Sequence, residues 1–281
     1  MALEPIQERR SRILGGGSPA ANVSIALAST VVVLVLVALA VVNAPGWPTV
    51  KKSFFNVSEG RDVFPLVARA FELNVKMFSI AEVLILVFAL LLAILRGLPG
   101  PVFFPLRAFA IGYTDLFRGV PTILVVYVLG FGAPGLNLTG VPTDPVFWGV
   151  VALVLVYSAY VSEVYRAGIE SIHPSQEAAA RSLGLSRAQA LRFVILPQAI
   201  RRVIPPLLND FIGLQKDTAL VSVLGSVDAL QQANINSAAD FNYTPYLIAA
   251  FFFVIITIPL ARFTDWLILR ERRRRQAGGV A

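Results

Sequence analysis

Six stretches of the chain are apolar over enough residues to cross a bilayer, since a transmembrane helix needs roughly 20 mostly apolar positions. The first, Val23 to Val42, holds no charge. The second runs from about Phe71 to Leu95. Its first half carries Glu72, Lys76 and Glu82, and Val83 to Leu95 is wholly apolar. The third runs from about Phe109 to Phe131 and is interrupted by Asp115 and Arg118. The fourth, Val146 to about Ala167, ends near Glu163 and Arg166. The fifth, about Val203 to Leu224, is weaker because it holds Asp210, Lys216 and Asp217, and the sixth runs from about Pro245 to Leu269. This pattern predicts an all-α polytopic membrane protein of about six transmembrane helices.

Composition agrees with the pattern. Of 281 residues, 56% are hydrophobic and 15% charged, against about 45–50% and about 25% in soluble proteins. The formal charge is nonetheless +7. Absence of cysteine removes disulfides, thiol nucleophiles and Cys-ligated metals, and a single histidine, His173, argues against a His-built catalytic or zinc centre. No nucleophile–base pair, metal cluster or cofactor motif stands out, so neither an enzyme nor a cofactor is expected. A phosphate-binding loop would read G-x-x-x-x-G-K-[ST], and none of Lys51, Lys52, Lys76 and Lys216 sits in that context.

The positive charge marks topology, because Lys and Arg collect in cytoplasmic loops. Arg9, Arg10 and Arg12 precede the first span. Arg96 and Arg107 lie between the second and third, Arg181, Arg187, Arg192, Arg201 and Arg202 between the fourth and fifth, and Arg270 with Arg272 to Arg275 follow the sixth. The connections 132–145 and 225–244 hold no Lys or Arg. Both termini are therefore expected in the cytoplasm, with residues 1–22 and 270–281 as tails. Residues 23–43 are expected to stay as an added first helix, since the apolar run is long and no small-x-small site follows; the rival reading is a signal peptide, whose cleavage would leave five spans and change no other orientation. Residues 44–70 are an external connection and the single misfit, carrying Lys51, Lys52, Arg61 and Arg69. Nucleic acid is not expected as a partner: the basic residues suit topology and an Arg-rich tail against anionic lipid headgroups.

The loop between the fourth and fifth spans, about 170–202, reads as two short helices. Pro174 and Ser175 open the first, whose Ala run has high helix propensity. Gly184 sits where a helix ends in a left-handed residue, and Ser186 with Gln189 is a capping-box signature. Pro197 then disrupts helix continuation. Ala178, Ala179, Leu183, Leu185, Leu191 and Ile195 offer small apolar faces beside Arg181, Arg187 and Arg192. A pair this small cannot bury its own apolar face, which suits docking onto something in the cytoplasm. The A-x3-G-x-S turn is also found in DNA-reading helices, but a segment tethered between two spans cannot reach a major groove.

Here the sequence resembles the membrane permease subunits of binding-protein-dependent ABC importers, whose cytoplasmic loop has the form EAA, three residues, Gly, nine residues, I-x-LP. Gly184 is followed by nine residues and then Val194-Ile195-Leu196-Pro197. The family Glu would fall at Ala178, and Glu177 stands one residue early. Ala159-Tyr160 through Glu163, Arg166, Gly168 and Ile169, Arg118-Gly119-Val120-Pro121-Thr122, and Leu196-Pro197-Gln198-Ala199 through Pro205-Pro206, Asn209 and Lys216-Asp217-Thr218-Ala219-Leu220 are similar to stretches of polar amino acid permeases. The resemblance covers about residues 70–270. It implies a five-helix type I importer core within 71–269, with the first helix an addition. It also implies residence in the bacterial cytoplasmic membrane, a separate cytoplasmic ATPase dimer, an extracytoplasmic amino acid-binding protein and a second permease subunit, identical or different. The ATPase would meet the loop at Glu177, Ala178, Ala179, Arg181, Gly184, Leu185, Leu196 and Pro197.

Charges inside a span are costly and default to a functional reading. Glu72 and Lys76, four apart, share a face and read as an ion pair. Glu82 is either pore-lining or buried glue to a neighbouring span. Arg118 meets either Asp115 or a substrate carboxylate. Lys216 and its neighbour Asp217 point to different sides and are candidates for the path or its gate, while Glu163 and Arg166 brace the loop. A different reading of these charges is an ion-coupled secondary transporter acting alone.

Overall fold

The computed structural model describes residues 19–137 and 139–278, and the side chains of 22–137, 139–270 and 273. Arg9, Arg10 and Arg12 lie outside the described residues, as do the side chains of Arg272, Arg274 and Arg275. The described residues form helices and connecting turns without a strand. By contact the chain divides into two units, Met1–Phe55 and Asn56–Ala281.

In the first unit, α1 (Pro19–Val42) is apolar on every side and none of its described residues is buried, as for a helix solvated by lipid. Its hydroxyls are satisfied internally: Ser29 and Thr30 both donate to the Ala26 carbonyl, at 3.0 and 2.7 Å. After a turn, α2 (Trp47–Phe54) opens on Trp47-Pro48 and closes with Lys51 and Lys52 in its last turn, where cations complement the helix dipole.

The second unit begins with α3 (Val57–Arg96), started by Asn56, whose side chain accepts from the Ser58 and Glu59 amides at 3.2 and 3.3 Å. Residues 57–70 of the expected external connection are therefore helical and continuous with the second span. Val63, Val67, Phe71, Asn74, Met77, Ala81, Ile85, Ala89 and Leu92 form the buried stripe, spaced at the helical period.

The expected third span is two helices, α4 (Phe104–Gly119) and α5 (Thr122–Gly135), bent by 103° at their junction. The cause is Pro121, which drives the preceding residue out of the helical region. Val120 is extended at φ −100, ψ 131.

Helix α6 (Pro145–Glu170) is the centre of the bundle and packs against α3, α4, α5 and the long helix beyond the loop. Its N-cap is Asp144, which accepts from the Val146 and Phe147 amides at 3.3 and 3.1 Å. Two of its glycines permit close approach: a Cβ on Gly149 would overlap Val221, and one on Gly168 would overlap Val203. The loop then supplies α7 (Pro174–Ser182) and α8 (Arg187–Ala190), and a π-turn (Leu191–Ile195) leads into α9 (Leu196–Asp217). Pro197 does not end the helix. It falls in the first turn of α9, where its missing N–H costs least, and the widened π-turn just before it absorbs the irregularity.

A 3-10 turn (Thr218–Leu224), α10 (Ala229–Asp240) and α11 (Thr244–Gly278) complete the chain. One core cluster joins Met77, Ala81 and Ile85 of α3 to Val126, Leu153, Val156, Leu214 and Val221. A second joins Val63, Val67 and Phe71 to Ala229, Ala233 and Ala249. Among the described residues, α1, α3, α6 and α11 contain segments long and apolar enough to cross a membrane, and the bent pair α4–α5 counts as a fifth. Helix α9 falls short of that standard because it carries Arg201, Arg202, Asp210, Lys216 and Asp217.

Candidate functional site

The loop between α6 and α9 is anchored by a small apolar cluster and exposes the rest. Ile172, Ile195 and Ala199 pack together, and Ala180 and Ala190 are buried. His173 caps α7, its ring nitrogen Nδ1 accepting from the Ser175 amide at 3.2 Å. Gly184 stands at φ +88, the left-handed conformation that favours glycine. Ser186 and Gln189 form the expected capping box, with side-chain to backbone distances of 3.3 and 2.8 Å.

Facing out of this frame are Ala178, Ala179, Arg181 and Gly184, with Leu185 half-buried beside them. Leu183 is 84% exposed at the tip, an apolar side chain that none of the described residues covers. Glu177 approaches Arg187 at 3.7 Å, tying α7 to α8. Leu196 and Pro197 are exposed at the start of α9.

A charge node closes the other end of the loop. Glu163, with its side chain 16% exposed, accepts from Arg96 at the end of α3 and from Arg166 one turn on, through Nη2 at 2.7 Å and Nε at 3.2 Å. Arg118 of α4 lies 3.9 Å away, so its partner is Glu163 and not Asp115. Arg166 also bonds Glu170, and Arg202 donates to the Ser171 carbonyl. Three spans and the first turn of the loop are thereby linked through one carboxylate and its neighbours.

Beside the node is a cleft of about 750 Å³, bounded by Arg118, Glu163, Arg201, Arg202, Pro206 and Asp210, among others. Sequence pattern does not single out Asp210, which shows there only as a charge that weakens the fifth span. One of its carboxylate oxygens is buried without a hydrogen-bond partner, and it is close enough to Glu82 for the two to repel. Glu82 is half-buried, and among the described residues no ion pair joins it to a cation. Asp217 accepts from the Tyr157 hydroxyl at 2.9 Å, while Lys216 is exposed, so the adjacent pair does point to different sides. Glu72 and Lys76 are both exposed on α3, and among the described residues no ion pair joins them.

At the opposite end, a buried polar group fastens α3 to α10. Asn74, 1% exposed, donates to Thr218 at 3.2 Å and to Asp228 at 2.9 Å, and its oxygen accepts from the Ala229 amide at 3.0 Å. Asp228 caps α10 through the Gln231 amide at 2.9 Å. Burial pushes its carboxyl above the ordinary value, partly opposed by its hydrogen bonds with Gln231 and Asn74. Gln215 in turn accepts from Thr257 at 3.0 Å, which fastens α9 to α11.

Among the described residues no group of three acidic, His or Cys side chains is placed to hold a metal ion. What the geometry offers is an exposed loop, a charge node behind it and a cleft between spans.

Known proteins share much of this sequence and fold. The family described as binding-protein-dependent transport system inner membrane component matches residues 86–273. The probable glutamine ABC transporter permease protein GlnM of Bacillus subtilis is 38% identical over 169 residues, 59% of this chain and 76% of that one. The arginine transport system permease protein ArtQ of the same organism is 32% identical over 197 residues, 70% of this chain and 88% of that one. Among solved structures, an amino acid ABC transporter crystallised with histidines superposes with a TM-score of 0.66 at 33% identity, over 74% of this chain and 94% of that chain. The methionine ABC transporter MetNI, in an inward-facing form, shares the fold with a TM-score of 0.59 at 17% identity, over 73% of this chain and 95% of that chain.

Proposed function

The chain belongs to the family of binding-protein-dependent transport system inner membrane components, and on that premise we propose that it is the permease subunit of an ATP-driven importer of polar amino acids. Its relatives named for glutamine and arginine support the substrate class. The permease core comprises residues 71–269, preceded by the additional helix 23–43 and the external connection 44–70, with tails 1–22 and 270–281 in the cytoplasm. A separate ATPase dimer docks on the loop, a soluble binding protein delivers the amino acid from outside, and a second permease subunit completes the path.

The observation that carries this reading is the loop itself. Ala178, Ala179 and Gly184 are exposed around Leu183, which is 84% exposed. That apolar tip has no folding role in this chain and suits a groove on a partner. Behind it, movement of α7 would reach the spans through Ser171–Arg202 and the Glu163 node. The cleft at Arg118, Arg201 and Asp210 then lies where the path opens toward the cytoplasm.

The test is Gly184→Trp. A Cβ at Gly184 meets nothing within 4 Å in this chain, so the large ring obstructs only what docks there. Uptake should be lost at unchanged membrane level, whereas Gly184→Ala, which carries the same backbone strain, should retain most of it. Full uptake by the Trp variant would remove the loop from the coupling role, and purification of a stable complex without an ATPase would favour a transporter that works alone.

A further inference from the structure

The outer half of α3 carries a charged face that the bundle does not use. Arg61, Arg69, Glu72 and Lys76 recur at the three-, four- and eight-residue spacings that share one side of a helix, and all four are exposed. The opposite side is the buried stripe of Val63, Val67, Phe71, Asn74 and Met77.

The depth of this face follows from α11, a helix long and apolar enough to span. The Asn56 amide donates to Thr244 at 3.1 Å, so both helices start at one level. Phe64 then meets Phe252 at 5.1 Å between ring centres, and Phe71 meets Phe253 at 5.1 Å. The charges therefore run alongside the outer part of a membrane span.

Further along the same face the side chains change character. Val83, Val87, Leu90 and Ile94 are 63, 58, 48 and 52% exposed. One side of one helix thus meets two solvents, and the boundary falls between Ser79 and Val83. Apolar residues suit lipid. Three cations and an anion do not, because ionisable groups within a membrane face protein or water. A second copy of α3 does not answer them: a two-fold axis along the membrane normal sets each residue at the depth of its own copy, which would bring Arg69 against Arg69 and Lys76 against Lys76.

We infer that residues 61–79 of α3 form one wall of a water-filled outer vestibule whose net positive charge draws the carboxylate of the incoming solute. The outer placement of this wall and the naming of the solute as an incoming amino acid rest on the importer reading. The vestibule itself stands on the helix face.

The chain contains no cysteine, so in membrane vesicles bearing single-cysteine variants of the assembled complex, label on this chain reports the introduced thiol alone. A membrane-impermeant maleimide added at the outer face should modify Arg69→Cys, Lys76→Cys and Ser79→Cys but not Val83→Cys or Val87→Cys. At Ser79→Cys the reaction rate of an anionic thiosulfonate relative to a cationic one, each divided by that reagent's rate with a small free thiol, should be at least fivefold in favour of the anion, and that excess should vanish when Arg69→Gln and Lys76→Gln are added. The rate ratio needs no knowledge of the transported solute, so loss of the importer reading would leave it intact. Absence of label at Arg69→Cys, Lys76→Cys and Ser79→Cys, labelling that continues through Val87→Cys, ready cross-linking of Arg69→Cys to a second subunit, or equal normalised rates for the two reagents would each overturn the inference.

Discussion

Replacing Asn74 by alanine should destabilise the second unit more than any other single polar truncation at the end of the bundle away from the α7–α8 loop. The amide is used at both ends. Its nitrogen serves Thr218 and Asp228 and its oxygen serves the Ala229 N–H. Truncation leaves the Ala229 N–H buried without a partner and removes the side-chain donor from the Asp228 carboxylate, while Thr218 keeps its donation to the Gln215 carbonyl at 2.8 Å. Each orphaned buried group costs about 1–3 kcal/mol, with the carboxylate at the upper end, so the expected loss is roughly 3–5 kcal/mol. At about 2–4 °C per kcal/mol for a domain of this size, the thermal midpoint in detergent should fall by roughly 10 °C. Asp228→Asn should cost less, about 1–2 kcal/mol. Its amide must either face the Asn74 nitrogen, donor against donor, or face the Gln231 N–H and lose the cap. In a double-mutant cycle of Asn74→Ala with Asp228→Ala the two sites should couple by about 2 kcal/mol. Thermal unfolding of the purified chain with and without each substitution reads all three quantities. An Asn74→Ala protein within about 1 kcal/mol of the parent, or a strictly additive cycle, would refute the claim that this group fastens α3 to α10.

Other substitutions probe other contacts. Gly168→Leu should force α6 and α9 apart against Val203, costing about 1–3 kcal/mol and lowering uptake; adding Val203→Ala should recover part of both, while Gly112→Ala, which meets nothing within 4 Å, should change neither. Glu163→Gln should cost about 1–2 kcal/mol by leaving Arg96 without its carboxylate and Arg166 with Glu170 alone, seen as a lower thermal midpoint and reduced transport. Ser186→Ala should cost about 1 kcal/mol, detectable as faster hydrogen exchange at the α8 amides. Because burial raises the Asp228 carboxyl from its ordinary 3.8, the folded state holds that proton more tightly. The stabilisation from Asp228 is therefore full below the ordinary value and is lost as pH rises through the folded one, so the deficit of Asp228→Asn should shrink over that window in a pH series.

Most of the spans were legible because lipid asks for nothing more than an apolar run of sufficient length. What was not legible came from tertiary compensation. Helix α3 begins at Val57, although Glu59, Arg61 and Asp62 interrupt its apolar run. The signal that could have placed its start was Asn56 as a cap, followed by Val63, Val67 and Phe71 at helical spacing. The bend in the third span had a cue in Gly119 and Pro121, but hydropathy averages over a kink. The capping box and the left-handed Gly184 were readable because both are local. Partners across the fold were not: Arg118 pairs with Glu163, forty-five residues away, and not with the nearby Asp115, and the proximity of Glu82 to Asp210 depends on how α3 meets α9. Spacing finds neighbours on one helix, and the charge node needs three.

The π-turn at Leu191–Ile195 sets the orientation of the rest of α9. An extra residue in one turn advances everything after it by about 100°. The side of α9 that lines the cleft, with Arg201, Arg202 and Asp210, is therefore set by a count made in the loop and not by the span's own amphipathic pattern. Removing one residue from that turn would restore an ordinary helix and rotate the whole cleft face away. The loop that carries α7 and α8 also keeps the azimuth of the helix that follows it.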